Sequence, residues 1–358
     1  MSSIAAVKGV LPEHRGTQEA ITGMVEDVVL GARPDRRELL NRLHAASGVN
    51  TRYLALPLDS YRDLRGFGDA NDVFIDVGLR LGEAAVRSAL DAAAVSADEV
   101  DLVMSVSVTG IAAPSLEARL VERLGLRPDV KRVPVFGLGC VAGAAGMARL
   151  HDYLIGHPDG VAVLLSVELC SLTLQRDDPS SANLVASGLF GDGAAAVVMV
   201  GERRAETLED AGRRAPRVVD TRSRIYPGTE RVLGWDIGDG GFRIVLASTL
   251  SDVVERHLGA DVEAFLAEHG LVVADIDTWV AHSGGPKVID AVTKALGLPD
   301  QALDLTRRSL AEVGNLSSAS VLHVLERTLD DGLATPGTPG MLMAMGPGFS
   351  AELVLLEW

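Results

Sequence analysis

Apolar residues along the chain return in two rhythms. VDLVMSVSV (100–108) is a near-continuous apolar run, as in a strand buried on both faces. RVPVF (132–136) and VAVLLSVEL (161–169) read as further strands. Elsewhere apolar residues recur every three or four positions. That spacing predicts helices over 35–47, ended by Gly48, and over 74–95, where Ile75, Leu79, Ala85 and Leu90 lie among the apolar positions. More helices are predicted over 114–124, opened by Pro114, over 182–188 and over 248–269. Residues 49–58 read as extended, 61–73 as a polar loop, and GLFGDGAAAVVMV (188–200) as hairpin-like. Alternating strands and helices predict an α/β fold with a mostly parallel sheet.

The stretch 133–154, VPVFGLGCVAGAAGMARLHDYL, runs from strand to turn to helix and puts Cys140 at the helix start. Ala142, Gly143, Ala144, Ala145, Gly146 and Ala148 crowd the first turns. A helical glycine costs up to ~1 kcal/mol against alanine, which a chain tolerates where another backbone passes close. A thiol at a helix N-terminus is drawn toward thiolate. The plain alternative is a small inert core cysteine.

The second half of the chain echoes the first. VDLVMS at 100 matches IDTWVAHS at 276, and GCVAGAAGMARLHDYL at Gly139 matches GNLSSASVLHVLERTL at Gly314, with offsets of 176 and 175 residues. FGDGAAAVVMV (190–200) matches MGPGFSAELVLLE (345–357) in the same order. Two copies of one unit are expected, with a seam in the charged stretch 201–218 that holds Glu202, Arg203, Arg204, Glu206, Arg213 and Arg214. The halves would span residues 1–205 and 206–358. Cys140 and Asn315 then occupy equivalent helix starts, and His282 ends a strand in HSGGP. Cysteine, histidine and asparagine together suit acyl transfer: the imidazole takes the thiol proton, then imidazole and amide N–H groups stabilise charge developing on oxygen. Alone, Asn315 would read as a helix cap and His282 as a satisfied strand-end residue.

Composition narrows the field. The chain has 358 residues, 47% hydrophobic and 23% charged, with a net charge of −16. Such acidity disfavours nucleic acid and anionic membrane as partners. No apolar run approaches the ~18 residues of a membrane span, and no leader pattern opens the chain, so a cytoplasmic protein is expected. Two cysteines do not make a disulfide scaffold, the eight histidines show no metal spacing, and no GxGxxG cradle offers a dinucleotide site.

GLGC with VAGAAGMARLHDYL, WVAHSGGPKVIDAV, GNLSSASVLHVLERTL, LFGDGAAAVV and MGPGFSAELVLLEW together resemble the type III polyketide synthases, the chalcone synthase-like branch of the thiolase superfamily. The resemblance runs from about residue 30 to the C-terminus. It implies a thiolase-like αβαβα layered fold of two pseudo-repeated halves. It implies Cys140 as the acyl-carrying nucleophile, His282 and Asn315 as the decarboxylation and oxyanion pair, and Phe190 as the group orienting the malonyl unit. Gly346, Pro347 and Gly348 match the loop that shapes the cavity wall, and Thr109, Cys170 and Thr173 match cavity positions. Cys170 stands where plant enzymes have threonine and bacterial ones commonly cysteine. Ala113 stands where plant enzymes have a methionine reaching across a dimer. Arg42 matches one CoA-binding position. Two flanking lysines of that pattern are missing, and Arg36, Arg37, Arg52 and Lys131 are candidates to replace them.

The implied reaction loads an acyl-CoA starter on Cys140, extends it repeatedly with malonyl-CoA or methylmalonyl-CoA, and cyclises the chain to a pyrone or resorcinol-type ring. Cys170 and Ala113 tilt this toward an aliphatic starter. CoA thioesters are substrates, and no cofactor or metal is implied. A homodimer is. The rivals are a ketoacyl-carrier-protein synthase III, which condenses once, and a catalytically silent thiolase-fold partner subunit.

Overall fold

Alternate residues of one strand show how the sheet is built. Between 194 and 200, Ala194, Ala196, Val198 and Val200 belong to one apolar cluster, whereas Ala195, Val197 and Met199 belong to another on the opposite face. Both faces are covered, which is why the run reads as continuously apolar. The computed structural model describes residues 1–31, 34–210 and 215–358. Arg213 and Arg214, assigned above to the seam, lie outside the described residues.

In chain order the strands are β1 (Ser2–Val10), β2 (His14–Thr17), β3 (Thr51–Leu54), β4 (Leu102–Ser107), β5 (Lys131–Phe136), β6 (Val161–Leu169), β7 (Asp192–Gly201), β8 (Arg217–Ile225), β9 (Leu233–Gly238), β10 (Gly241–Leu246), β11 (Thr278–Ala281), β12 (Pro339–Gly346) and β13 (Ser350–Glu357). The helices are α1 (Gln18–Val25), α2 (Arg37–Ala45), α3 (Phe67–Ala93), α4 (Leu116–Leu124), α5 (Ala142–Ile155), α6 (Ser181–Leu189), α7 (Glu202–Asp210), α8 (Leu250–Glu268), α9 (Pro286–Leu296), α10 (Asp304–Val313) and α11 (Ser320–Asp330).

Nine strands follow the order β11-β12-β13-β8-β1-β7-β6-β4-β5. The order mirrors itself about the short β1/β8 junction, where Ser2 pairs with Val218 and Ser3 with Arg217. On each side an antiparallel pair is followed by another antiparallel pair and then a parallel one: β1/β7, β7/β6, β6/β4 on one side and β8/β13, β13/β12, β12/β11 on the other. This is the repeat read from the sequence. The layers follow from the clusters. Helices α3 and α4 cover one outer face, α5 and α11 fill the middle between the two strand sets, and α8 and α9 cover the other outer face.

The middle layer explains the small residues. A Cβ on Gly143 would lie 2.3 Å from the Ser318 carbonyl oxygen and 2.8 Å from Val321 Cγ1. A Cβ on Gly146 would lie 2.5 Å from Leu164 Cδ1. The first contact joins the two repeated segments; the second presses α5 onto β6.

Several expectations are corrected. The sheet is mixed, because β7 runs back beside β6 and the 346–350 turn folds β13 against β12. Residues 67–73 are helix: Phe67, Ala70 and Phe74 continue the apolar face of α3 beneath polar neighbours, and Asp69 accepts from Arg65 N at 2.9 Å in its first turn. Residues 188–200 are no hairpin but the end of α6 and one long strand paired with β1 and β6. The N-terminal strand β1 had no counterpart in the sequence reading. Pro114 precedes its helix, which starts at Leu116 after the N-cap position Ser115.

Gly143→Ala is expected to destabilise the fold by about 1–3 kcal/mol, since the added methyl meets backbone rather than a yielding side chain. Denaturant unfolding of the pure protein checks this, and unchanged stability would refute the close approach.

Candidate active site

Cys140 sits one turn before its helix. Strand β5 ends at Phe136; Gly137 (φ 101°) and Gly139 (φ 60°) then turn the chain through the left-handed region that glycine reaches freely. Gly139–Val141 form a single 3-10 turn that leads into α5. The second repeat does the same: Gly314 (φ 76°), then Asn315, a turn over Ser317–Ala319, and α11.

The two turns meet. Cys140 Sγ lies 3.6 Å from Ser317 Oγ. Ser317 N donates to Asn315 Oδ1 at 2.8 Å, and Asn315 Nδ2 approaches the Gly284 carbonyl at 3.4 Å. Gly284 N donates at 2.9 Å to the carbonyl of His282, which follows β11 and is anchored by its own N–H to Met343 O at 3.0 Å. Thus the structure gathers Cys140, Asn315 and the His282 loop into one connected cluster. Asn315 is not the N-cap considered for it: that position is Leu316 for the 3-10 turn and Ala319 for α11, and Asn315 Oδ1 instead accepts from Ser317 N two residues on. The loop after β12 roofs the cysteine: a Cβ on Gly346 would lie 3.2 Å from Cys140 N, and one on Gly139 would lie 2.6 Å from Pro347 Cδ. Gly348, at φ 137°, completes that turn.

Phe190 joins through its backbone. It forms a parallel bridge with Asn315, in which Asn315 N donates to Leu189 O and Gly191 N to Asn315 O, each at 2.9 Å. Its ring lines a small cavity with Cys170, Thr173, Arg52 and Trp235. A larger cavity of about 270 Å³ is lined by Tyr61, Thr109, Ser171, Thr173, Gln175 and Phe242, among others. Thr109 Oγ1 donates to Glu168 at 2.9 Å, and Thr173 Oγ1 to Cys170 O at 2.8 Å.

Burial governs the charges. It pushes the Cys140 thiol up to about 12, with Glu168 adding to the rise and the Ser317 contact opposing it. It pushes His282 down to about 4, and the buried Nδ1 of that ring has no hydrogen-bond partner. Cys170 is raised by burial and then by Glu168, Asp192 and Cys140. Burial works against the thiolate expected at a helix start: Cys140 is only 7% exposed, and desolvation is the largest influence on its thiol.

Other calls sit apart from this cluster. Ala113 is exposed in the loop before α4, and Arg42 is exposed on α2. Arg37 pairs with Glu26. Lys131 begins β5, at the opposite end of the strand from the Cys140 turn, and stacks on Tyr153. Arg52 is not a surface cation at all; it is 2% exposed and bonded to Ser187 and Phe190 carbonyls. Neither Lys131 nor Arg52 is placed to replace the missing lysines.

Sequence reasoning missed Ser317, Glu168 and Asp192. Glu168 is fully buried and accepts from Ser318 Oγ, Thr109 Oγ1 and Val108 N. A lone carboxylate inside VAVLLSVEL was the available signal. Asp192, pushed up to about 6 by burial, accepts from Ala55 N and Ser171.

The N-terminal domain model of chalcone and stilbene synthases matches residues 2–203, and the C-terminal domain model matches 217–357. The chain is 59% identical to the 1,3,6,8-tetrahydroxynaphthalene synthase of Streptomyces peucetius subsp. caesius, over 100% of this chain and 93% of that protein. It is 31% identical to the phloroglucinol synthase of Pseudomonas fluorescens, over 100% and 99%. It superposes with a TM-score of 0.91 on the crystal structure of 1,3,6,8-tetrahydroxynaphthalene synthase from Streptomyces coelicolor A3(2), described as a bacterial type III polyketide synthase, at 31% identity and 99% coverage of each chain. The chain belongs to the chalcone and stilbene synthase family. Its activity is that of a type III polyketide synthase, an acyltransferase that builds its product by malonyl-CoA condensation.

Glu168→Gln is expected to shift the pH profile of Cys140 alkylation, read by mass spectrometry, to lower pH. The negative Glu168 opposes the thiolate, so removing that charge lets it form sooner. An unmoved or raised midpoint would reverse this assignment.

Proposed function

We propose that this enzyme converts malonyl-CoA units into a tetrahydroxynaphthalene-type aromatic product, with Cys140 as nucleophile and His282 and Asn315 as its partners. The halves 1–205 and 206–358 supply the sulfur and its partners respectively. The neutral imidazole takes the thiol proton as Cys140 Sγ attacks the starter thioester, and CoA leaves. A malonyl-CoA then loses carbon dioxide. The resulting enolate oxygen is met by N–H groups of His282 and Asn315, and its carbon attacks the Cys140 thioester. Amide and imidazole donors suit an enolate; a carboxylate there would repel it. Phe190 orients the malonyl unit. Thr109, Cys170, Thr173, Gly346, Pro347 and Gly348 bound the growing chain, and Arg42 meets CoA at the surface. CoA thioesters are the substrates, and no step is routed through a metal or other cofactor.

One observation carries the product assignment: identity of 59% across the whole chain to a tetrahydroxynaphthalene synthase. Ten ring carbons with hydroxyls on alternate positions make that product a pentaketide. The cavity wall agrees. Tyr61, Thr109, Ser171, Thr173 and Gln175 give the cavity a partly polar lining, which suits a chain of repeated carbonyls better than a long alkyl chain. The assignment thus moves from an alkyl to a fully malonyl-derived product.

The groove lined by Ile111, Ala112, Pro134 and Phe136 leaves Ile111 48% and Phe136 46% exposed, and we place the homodimer contact here, beside Ala113. No helix among the described residues is long and apolar enough to cross a membrane; a cytoplasmic location accords with that.

Given malonyl-CoA alone, the pure enzyme is expected to release a product with the mass of tetrahydroxynaphthalene. Turnover only with added long-chain acyl-CoA would restore the aliphatic reading, and a single condensation dependent on carrier protein would favour the synthase III reading. Cys140→Ala should abolish acyl labelling and cut turnover by more than roughly a thousandfold while circular dichroism stays unchanged. Labelling that persists would move the nucleophile, with Cys170 the next residue to test.

A further inference from the structure

One buried cation lies outside the proposed triad. Arg52, on β3, has no ion pair among the described residues. Its guanidinium is spent on carbonyls instead. One nitrogen donates to both Ser187 O and Phe190 O at 2.7 Å, the other to Gln18 Oε1 at 2.9 Å.

Those carbonyls end α6, and a helix end leaves four carbonyls without intrahelical partners. Here each has a partner. Ala186 O receives Phe190 N at 3.0 Å, Ser187 O receives Arg52, Gly188 O receives Gln18 Nε2 at 2.7 Å, and Leu189 O receives Asn315 N at 2.9 Å. Phe190 O, one residue on, also takes Arg52. A cation at a helix C-terminus meets the negative end of the helix dipole, and the buried Asp192 carboxylate adds attraction without direct contact. The arginine stem fits a groove made by glycine: a Cβ on Gly314 would lie 2.9 Å from both Arg52 Cγ and Cδ, and one on Gly191 would lie 3.5 Å from Cγ. These glycines flank Asn315 and Phe190.

We infer that Arg52 is a positioning residue for the decarboxylating half of the site: by closing the α6 end it fixes the Phe190–Asn315 bridge, and with it the aromatic ring and the carboxamide that handle the malonyl unit. The inference rests on the roles proposed above for Phe190 and Asn315. Cys140, on a different turn, contacts neither Arg52 nor the α6 end. Loss of Arg52 would leave two part-buried carbonyls, those of Ser187 and Phe190, without this donor, displacing the Phe190 ring and the amide while leaving the sulfur in place.

Two half-reactions separate the roles: acylation of Cys140 by an acyl-CoA without extender, followed by intact mass, and decarboxylation of malonyl-CoA without starter. Arg52→Lys, which keeps the charge but loses the forked geometry, should slow decarboxylation about tenfold or more and change acylation by less than about twofold. Gln18→Ala, which removes one cap and one arginine partner, should give the same split to a smaller degree and guards against misfolding of the arginine variant. Equal loss in both half-reactions with a lowered melting temperature, or no loss in either, overturns the inference. Asn315→Ala run alongside keeps the cases apart. If it decarboxylates normally, the inference falls with the reading beneath it. If it fails while Arg52→Lys and Gln18→Ala are normal, only the inference falls.

Discussion

The close approach of two repeated turns in the middle layer organises this molecule. Gly143 must be glycine because Ser318 O occupies the space of a side chain. That contact holds the two halves together, and it also brings Cys140 Sγ to Ser317 Oγ and hence to Asn315. Packing and chemistry share one cause. Any residue larger than glycine at 143 would part the helices and widen the distance between the sulfur and the groups of the other half. The Gly, Ala and Ser richness of both segments is therefore a geometric requirement of a site assembled across a duplication.

The resting site avoids charge. Burial, the largest cause in each case, moves Cys140 and Cys170 upward, His282 downward, and Glu168 and Asp192 upward. Each shift favours the neutral form, as expected where water is scarce. These shifts work against a resting ion pair between the Cys140 sulfur and the His282 imidazole. Under the roles proposed for Cys140, His282 and Asn315, charge enters with the reaction: the thiol proton moves as the thioester is attacked, and the enolate appears as carbon dioxide leaves. In a dry pocket a donor aimed at the new charge counts for more than it would in water. Carboxylates that are present, Glu168 and Asp192, are wrapped by hydroxyl and backbone donors, so they do not compete for those donors.

Much of this was legible in the sequence, and the remainder fails for definite reasons. Strand 161–169 and the repeat offsets were plain because a strand buried on both faces has no polar interruptions and a duplication preserves spacing. The repeat also brought Cys140 and Asn315 together, which neither residue announces alone. Strand β1 was hidden by its own Lys8 and Gly9: Lys8 reaches Glu326 at 3.0 Å, and Gly9 is required by His323, whose ring would meet a Cβ at 2.4 Å. Both facts are tertiary. Residues 67–73 hid a helix because four polar or glycine positions masked a sparse apolar stripe. Arg52 was misjudged because arginine in a sequence signals surface, and only the fold reveals carbonyls of another segment waiting for it. The opposing effect of burial on Cys140 is hidden for the same reason: sequence shows the helix start but not the depth.

On the roles proposed above, chemistry and specificity fall to different parts of the architecture. Main-chain contacts anchor His282 to the nine-stranded sheet and Asn315 to the α6 end, and Cys140 sits in the turn that follows β5. The larger cavity is instead walled by the turn around Tyr61, the loop 170–175 and the β9–β10 hairpin, which forms its own two-stranded sheet. Gln175 Nε2 ties these together by donating to Thr173, Gly240 and Phe242 carbonyls. Side chains on that wall can change without disturbing the register of any sheet strand that positions the triad. With the catalytic and cavity roles proposed above, a single acylating and decarboxylating centre can serve many cavity shapes, the wall deciding how the chain folds. This separation gives a physical basis for one family containing both a tetrahydroxynaphthalene synthase and a phloroglucinol synthase.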